Sequence, residues 1–595
     1  MAQSLTEKQK RVLSKIDELS HKNGKQPTLE ELRLALDFKY ISSVQRHTEA
    51  LKEKGYLNQE ARGLSMYQPK SMNTIFTLQN EQLGLIASQP AVSFFRDLLW
   101  AEARRLGVPL NKINISLWTT VADGGIDASI DTTEAVLLQS SGLIRTGISG
   151  YQIKTGSSFQ PWQPSEIKKE LFGEKKPQSK ENLGSSVVSC LNSNGRYILV
   201  CFGLEFTDEQ LSKAKKNLIE SFQQCGYQNP NVEVWGQSTL IGFTQIFPSL
   251  LLQLQGFDQS HFQTQKSWAQ QDDMQQELKA GEKQELLVKE LQAELRRTNQ
   301  AIHARVWAEP GAGKTRLVLE AVSATDLSPL VIYCDTPEKF RDSNLMNEIM
   351  KEDNGFSVLL VIDECNSDSR SYIWNKLKNL GNRIKLVTIY NEYDDSSGSI
   401  TYFDAPLLEK EQISKIIQQY GIVKDQADRW AEYCSGSPRV AHVIGWNLKN
   451  NPEDVLKPLS TVNIWDRYIT AGDDPLSVEV QQRKLVLLHI ALFKMFGFGK
   501  LVTDEAQAIA KLVNEVDPQI TFPRFQQIVK KLRERKILQG ETTLYITPKA
   551  LHIQLWKEWW DTYGNGFNFG EFSAKIPNSL REWFYEMFKY AAAST

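Results

Sequence analysis

At 595 residues the chain is too long for one hydrophobic core, and at about 150 residues per domain it should hold roughly four. Hydrophobic residues at 41% and charged residues at 24% exclude wholesale disorder and fibrous classes. A net charge of -2 excludes a globally basic nucleic-acid binder, so any DNA contact must come from local patches.

The six cysteines (Cys190, Cys201, Cys225, Cys334, Cys365 and Cys434) form no CxxC pair, which argues against a zinc site or a disulfide framework and for reduced thiols. No apolar run reaches the length of a membrane span, and the start MAQSLTEKQK lacks the apolar core of a signal peptide. A soluble, cytoplasmic protein without membrane contact is expected.

Residues 1–70 read as three helices and a short wing. Thr28 with Glu31 forms a capping box after the break at Gly24 to Pro27, and the helix SSVQRHTEALKEKG ends on Gly55. This is helix-turn-helix organisation. Eleven Lys/Arg stand against nine Asp/Glu in residues 1–60, so DNA affinity should be weak, and a protein-interaction role stays open.

Residues 80–255 mix an amphipathic helix at 92–106 with strand-like text at INISLW, GIDASID, GYQIKTG and RYILVCFG, an α/β texture. Asp123-Gly124-Gly125-Ile126-Asp127 precedes Gln152-Ile153-Lys154 by one strand, and Gln152 and Lys154, two apart, share a face. A carboxylate and an oxygen ligand hold Mg2+ against a scissile phosphate, and the lysine orients or activates water: a phosphodiesterase arrangement.

Residues 256–300, rich in Gln, Glu and Lys, are expected to be a helical connector with no core of their own. In 301–405 the strands HARVWA, LVIYC, VLLVID and IKLVTIY alternate with helices, as in a parallel sheet. Ala308 to Thr315 (AEPGAGKT) fits the P-loop pattern with Ala in place of its first Gly, between a strand and the helix TRLVLEAV. Gly311 and Gly313 let the backbone N–H groups of the loop, which also holds Pro310 and Ala312, curl around phosphates, Lys314 neutralises their charge, and Thr315 is placed to ligate magnesium. About fifty residues on, the strand VLLVI ends in Asp363, placed to hold magnesium through water, and Glu364, placed to polarise the attacking water. ATP and Mg2+ are the implied cofactors.

A helical domain (406–470) containing Gly436-Ser437-Pro438-Arg439, a winged helix (471–562) with the hairpin text ILQGETTLYITP, and the start of a helical carboxyl-terminal region (563–595) complete the chain.

Several of these stretches resemble known families. GAGKTRLVLEAV, VIDECN, IKLVTIY and CSGSPRVA resemble the STAND branch of AAA+-related ATPases, which implies that Pro438 packs near the adenine. That family often carries an arginine two residues after the threonine of its fourth strand, where this chain has Tyr390; Arg439 or Arg316 is left as the candidate. RKLVLLHIALFKMFGFG, LRERKILQG and LYITPKALHIQLWKEWW resemble the winged helix of bacterial antiviral STAND proteins, which implies a clamp on the nucleotide-bound core. DGGID with QIK resembles the Mrr-like PD-(D/E)xK nucleases. The resemblance implies that Asp127 is the metal acid, Gln152 replaces the second acid, and Lys154 is the base or water orienter, with Glu102 either a further ligand or a solvated side chain.

LTEKQKRVLSKIDELSHKNGKQPTLEELRLALDF and SSVQRHTEALKEKGYL resemble the winged helix of LexA-type repressors, which implies that Ser42, Ser43, Gln45 and Arg46 face a DNA groove and Arg62 a phosphate. The fold class is thus multidomain α/β: a winged helix, a restriction-endonuclease-like α/β domain, and a P-loop STAND NTPase with a carboxyl-terminal winged helix. The antiviral resemblance implies a phage-protein trigger, ATP-dependent assembly of a homo-oligomer (tetramer) and cleavage of double-stranded DNA. Relatives continue into sensor repeats, so the chain reads either as a fragment or as one whose sensor is supplied otherwise. The alternative is an ATP-dependent transcriptional regulator with a remnant nuclease.

Overall fold

The structure, a computed structural model, describes residues 88–592 except 116–123, 134–140, 174–176, 256–261, 352–354, 395–398, 453–463, 471–472, 475, 500–501 and 541, and before them Val12, Lys15, Leu32, Ala35, Leu36, Leu83 and Ile86. Two compact units are formed, Met1–Gln79 and Asn80–Thr595. In the first, Val12, Lys15, Leu32 and Ala35 are helical, Val12, Leu32 and Leu36 are buried, and the Leu36 amide donates to the Leu32 carbonyl. Ser42, Ser43, Gln45, Arg46 and Arg62 lie outside the described residues, as does Asp123 of the second unit.

The second unit opens with helix α1 (Ser88–Leu106) and the strands β1 (Ile113–Ile115), β2 (Ala128–Asp131), β3 (Ile148–Lys154), β4 (Arg196–Cys201) and β5 (Asn231–Trp235), lying in that order in one sheet. β1, β2 and β3 are antiparallel neighbours, whereas β3, β4 and β5 run parallel. The parallel strands need crossovers, supplied by α2 (Pro164–Phe172) with α3 (Ser185–Asn192), then by α4 (Asp208–Gln224). Helix α4 starts on a capping box, Thr207 with Gln210. One sheet face meets α1 through the edge-on rings of Phe95 and Tyr151; the other packs Tyr197, Leu199 and Cys201 against Ile167, Val187, Leu218 and Phe222 of α2, α3 and α4. Burial on both faces explains why RYILVC is apolar beyond Arg196, whose own buried guanidinium donates to the Gly142 and Leu143 carbonyls.

The second sheet takes β6 (Gln263–Thr264), β7 (Ile302–Trp307), β8 (Val331–Cys334), β9 (Val358–Ile362), β10 (Ile384–Tyr390) and β11 (Thr401–Asp404) in the order β11-β7-β10-β9-β8-β6. All are parallel except β6, which pairs antiparallel with β8. The expected connector at 256–300 is thereby corrected. Residues 263–264 are a strand of this sheet, Trp268 is fully buried and stacks on Tyr333 at 4.1 Å, and α5 (Glu282–Leu295) buries Leu287, Leu291 and Leu295. Those leucines recur every four residues, a single helical stripe, while the other faces are polar enough to hide it in the overall composition. The first sheet's part is no separate body either: Arg104 of α1 reaches the Arg296 carbonyl (2.8 Å) and Asp326, and Ser357 donates to the Ile246 carbonyl.

From Leu408 onward one continuous apolar cluster runs to Phe584. It joins α8 (Lys410–Gln418), α9 (Lys424–Ala431) and α10 (Pro438–Asn450) to α11 (Val478–Ile490), α12 (Thr503–Val516) and α13 (Phe522–Glu534). The small sheet β12 (Phe496–Gly497), β13 (Leu538–Gln539) and β14 (Thr543–Ile546) follows, with β14 central, then α14 (Lys549–Tyr563) and α15 (Asn578–Ala592). The division at residue 563 is therefore corrected: Phe572, Ile576, Leu580 and Phe584 belong to the same core, with Phe572 stacked on Phe493. No helix among the described residues is long and apolar enough to cross a membrane.

Candidate functional site

Strand β7 delivers the chain to residues 308–313, and α6 (Lys314–Val322) leaves from Gly313. Gly311 and Gly313 adopt φ of 89° and 90°, open to glycine and costly to other residues. A Cβ at 313 would also meet Pro438 at 3.4 Å, and one at 311 would meet Ser437 at 3.0 Å. Pro438 and Ser437 open α10, so the expected packing partner of the nucleotide site does lie against the loop that includes Pro310 and Ala312; the Ser437 hydroxyl donates to the Gly311 carbonyl at 3.0 Å.

Lys314 is only 7% exposed, and its ammonium donates to the carbonyls of Ala308 and Glu309 (3.0 Å each) and to Oδ1 of Asn391 (2.9 Å). Burial lowers its pKa to about 8, opposed by Glu364, Asp363 and Glu309. The Thr315 hydroxyl donates to Oδ2 of Asp363 at 2.8 Å, and Tyr333 reaches the same oxygen. Thr315 and Asp363 thus bring two hard oxygens together, a donor set that fits magnesium. Burial raises the pKa of both Asp363 and Glu364, and the charge of Asp363 raises Glu364 further.

Glu364 stands at φ 48°, uncommon for a non-glycine residue, just past the end of β9. Both its carboxylate oxygens lie within hydrogen-bond reach of the Tyr545 hydroxyl, at 2.8 and 2.9 Å. Tyr545 belongs to β14, so the small carboxyl-terminal sheet reaches the acid expected from sequence to activate water. The contact extends along this edge: Lys549 of α14 pairs with Glu309 of the P-loop at 2.5 Å, and Lys494 pairs with Glu392 at 2.7 Å.

Of the two arginine candidates Arg316 is engaged elsewhere, whereas Arg439 lies against Gly311 and is close enough to Glu364 for its charge to favour the ionised acid. Arg316 pairs with Glu320 and donates to the carbonyls of Met274 and Gln276, and Arg439 donates to the Lys536 carbonyl. Asn391, a residue outside the arginine pattern expected after β10, occupies the position beside Lys314 instead. A polar residue one step past a strand adjacent to β9 was the available signal.

Hydrogen bonds to charged groups contribute roughly 1.5–3 kcal/mol. Removing the Tyr545 hydroxyl by Tyr545→Phe should therefore free Glu364 and raise single-turnover ATP hydrolysis about tenfold. An unchanged rate would show that this bond does not restrain the acid.

In the first sheet, Ala128 pairs with Tyr151 across antiparallel β2 and β3, so Asp127, one residue earlier, stands opposite Gln152. Gln152 and Lys154 pair with Leu199 and Cys201, so they share the sheet face covered by α2, α3 and α4. The Ile153 amide donates to Oδ2 of Asp127 at 2.6 Å and orients that carboxylate. Gln152 is 6% exposed, and its Oε1 has no hydrogen-bond partner. Lys154 is paired with Glu170 of α2 at 2.6 Å, an acid that the strand motif did not include. Among the described residues no group of three or more His, Cys, Asp or Glu is gathered for a metal, so Asp127 with the Gln152 amide oxygen is a two-residue set. A cavity of about 320 Å³ opens beside Asp127, lined also by Asn114, Ser129, Ser149, Ser186 and Ser189.

Glu102 is corrected on both earlier alternatives. It is 0% exposed, salt-bridged to Arg105 at 2.6 Å and hydrogen-bonded by Ser141, so its oxygens anchor α1.

Among solved structures the chain is similar to the ORC1 protein of Aeropyrum pernix in complex with DNA, at 14% identity and a TM-score of 0.29, over 51% of this chain and 98% of that one. It is similar to the RuvB Holliday junction branch migration motor of Thermotoga maritima at 16% identity and a TM-score of 0.25, over 45% and 93%. A third likeness is to a STAND protein with a tetratricopeptide repeat sensor from Pyrococcus horikoshii, at 11% identity and a TM-score of 0.26, over 52% of this chain and 50% of that one. No curated protein matches the chain. Residues 2–63 match the family described as the LexA DNA binding domain.

Proposed function

We propose that this chain is an ATP-switched, Mg2+-dependent DNA endonuclease of the bacterial antiviral STAND type. In this reading the winged helix at 471–562 holds the ATPase closed, and a phage protein releases it. ATP-bound chains then assemble, as tetramers in the reading favoured by the family resemblance, and bring nuclease parts together on double-stranded DNA.

Bound magnesium supplies positive charge to the phosphate oxygens at each site. Lys314 neutralises the β- and γ-phosphates, and the backbone amides around Gly311 and Gly313 cradle them. Glu364, once free of Tyr545, orients the attacking water and accepts its proton. At the other sheet Asp127 and the Gln152 amide oxygen would hold the magnesium ion that faces the scissile phosphate, and Lys154, leaving Glu170, orients water and steadies the charge that develops on the phosphate.

The observation that carries the nuclease reading is the buried, unpartnered Oε1 of Gln152 opposite Asp127. A buried polar atom without a partner costs stability and survives where a ligand satisfies it. The match of residues 2–63 to a DNA-binding family supports DNA as the partner, with Arg46 and Arg62 as the contacts expected from sequence.

Phage challenge tests the biological role. Cells expressing the chain should plate phage at reduced efficiency, and cells expressing Lys154→Ala should plate it as empty cells do. Equal protection by the variant would mean that cleavage is not the effector, which favours the regulator alternative.

A further inference from the structure

Strand β7 bears a fully buried guanidinium, Arg305, 0% exposed and immediately below the P-loop. No positive charge is left so deep without compensation. One arm of its fork donates to the carbonyl of Cys365, the residue after Glu364. The other meets Oδ2 of Asp394 at 3.1 Å, three residues beyond Asn391. Asp394 in turn accepts from Arg370 (3.1 Å) and Ser367 of α7 (Ser367–Leu377) and from the Tyr402 hydroxyl of β11 (3.2 Å).

We propose that Arg305 is a positioning residue for ATP hydrolysis, setting through Cys365 and Asp394 the two backbone segments that aim Glu364 and Asn391 at the phosphate site. The proposal rests on the ATPase reading above. Its geometry is specific. Glu364 sits in the left-handed region, which persists only where the surroundings over-determine it. Here the Cys365 amide donates to the Ile389 carbonyl of β10 at 2.9 Å while Arg305 donates to the carbonyl of the same residue, so the residue after Glu364 is held at both its peptide groups. The loop leaving β10 is held at Asp394, and it carries Asn391 against Lys314. A planar fork with two fixed donor directions spans two acceptors in this way; a lysine ammonium does not hold the same pair in register.

Among the described residues the hydrogen bonds and ion pair of Arg305 go to Cys365 and Asp394 and not to the P-loop carbonyls or Thr315, so nucleotide binding and hydrolysis should separate. Arg305→Met and Arg305→Lys should bind a fluorescent ATP analogue within about twofold of wild type and hydrolyse ATP at least tenfold more slowly in single-turnover reactions. Asp394→Asn keeps the volume and removes only the charge, so it decides the matter if Arg305→Met fails to fold; the same loss of rate with retained binding is expected. Wild-type rates in Asp394→Asn and Arg305→Lys overturn the proposal, as does a parallel loss of binding and rate, which is the mark of a purely structural role. Failure of the parent reading looks different: wild-type protein would itself hydrolyse no ATP, or Lys314→Ala would bind the analogue as well as wild type.

Discussion

Lys154→Ala is expected to abolish DNA cleavage, by ~10²-fold or more, while leaving ATP hydrolysis at the wild-type rate. The separation follows from the architecture. Lys154 ends β3 of the first sheet, whereas Lys314, Thr315, Asp363 and Glu364 gather at one end of the second. Lys154 is half-buried and paired with Glu170, itself partly exposed, so substitution by Ala leaves Glu170 able to turn to solvent. The loss should therefore be chemical rather than structural. Nicking of supercoiled plasmid, with released phosphate measured in parallel, checks both halves. Undiminished nicking would remove Lys154 from the chemistry.

Lys314→Ala should weaken nucleotide binding by ~10²-fold or more, corresponding to about 2.7 kcal/mol. The ammonium sits among Asp363, Glu364 and Glu309, whose charges counter the burial that lowers its pKa to about 8. Removing it deletes a charge-assisted contact to phosphate and leaves those carboxylates to repel the incoming anion. Glu364→Gln contrasts with it: the amide should still bind ATP, and hydrolysis should slow by ~10²-fold because no base receives the water proton. Titration with a fluorescent ATP analogue distinguishes the two, and equal affinities for Lys314→Ala and wild type would contradict the assignment of the P-loop.

Local sequence signals carried the β-strands well where burial made them predominantly apolar. RYILVC, VLLVI and IKLVTIY each form a strand at the expected place, because a strand covered on both faces cannot hide its composition. Short or mixed elements were harder. β11 (TYFD) and β6 (QT) are edge strands with polar residues, and Trp268 anchors a stretch whose composition is otherwise that of a solvated connector. The continuity of the core from α8 to α15 was also invisible, since it depends on which helices meet rather than on any one helix's pattern. Among functional side chains the motif residues of the P-loop and β9 cluster as their spacing implied. Asn391, Glu170, Tyr545 and Arg305 come from four separate segments, and only folding brings them to Lys314, Lys154, Glu364 and Asp394.

In the proposed function nucleotide at the second sheet controls cutting at the first, with the winged helix as the restraint. The most direct test of that control is plasmid nicking by Tyr545→Phe protein in Mg2+, followed with and without ATP. ATP-dependent nicking is expected, and Lys314→Ala, added to the same protein, should eliminate it. Nicking at one rate in all three conditions would contradict that control.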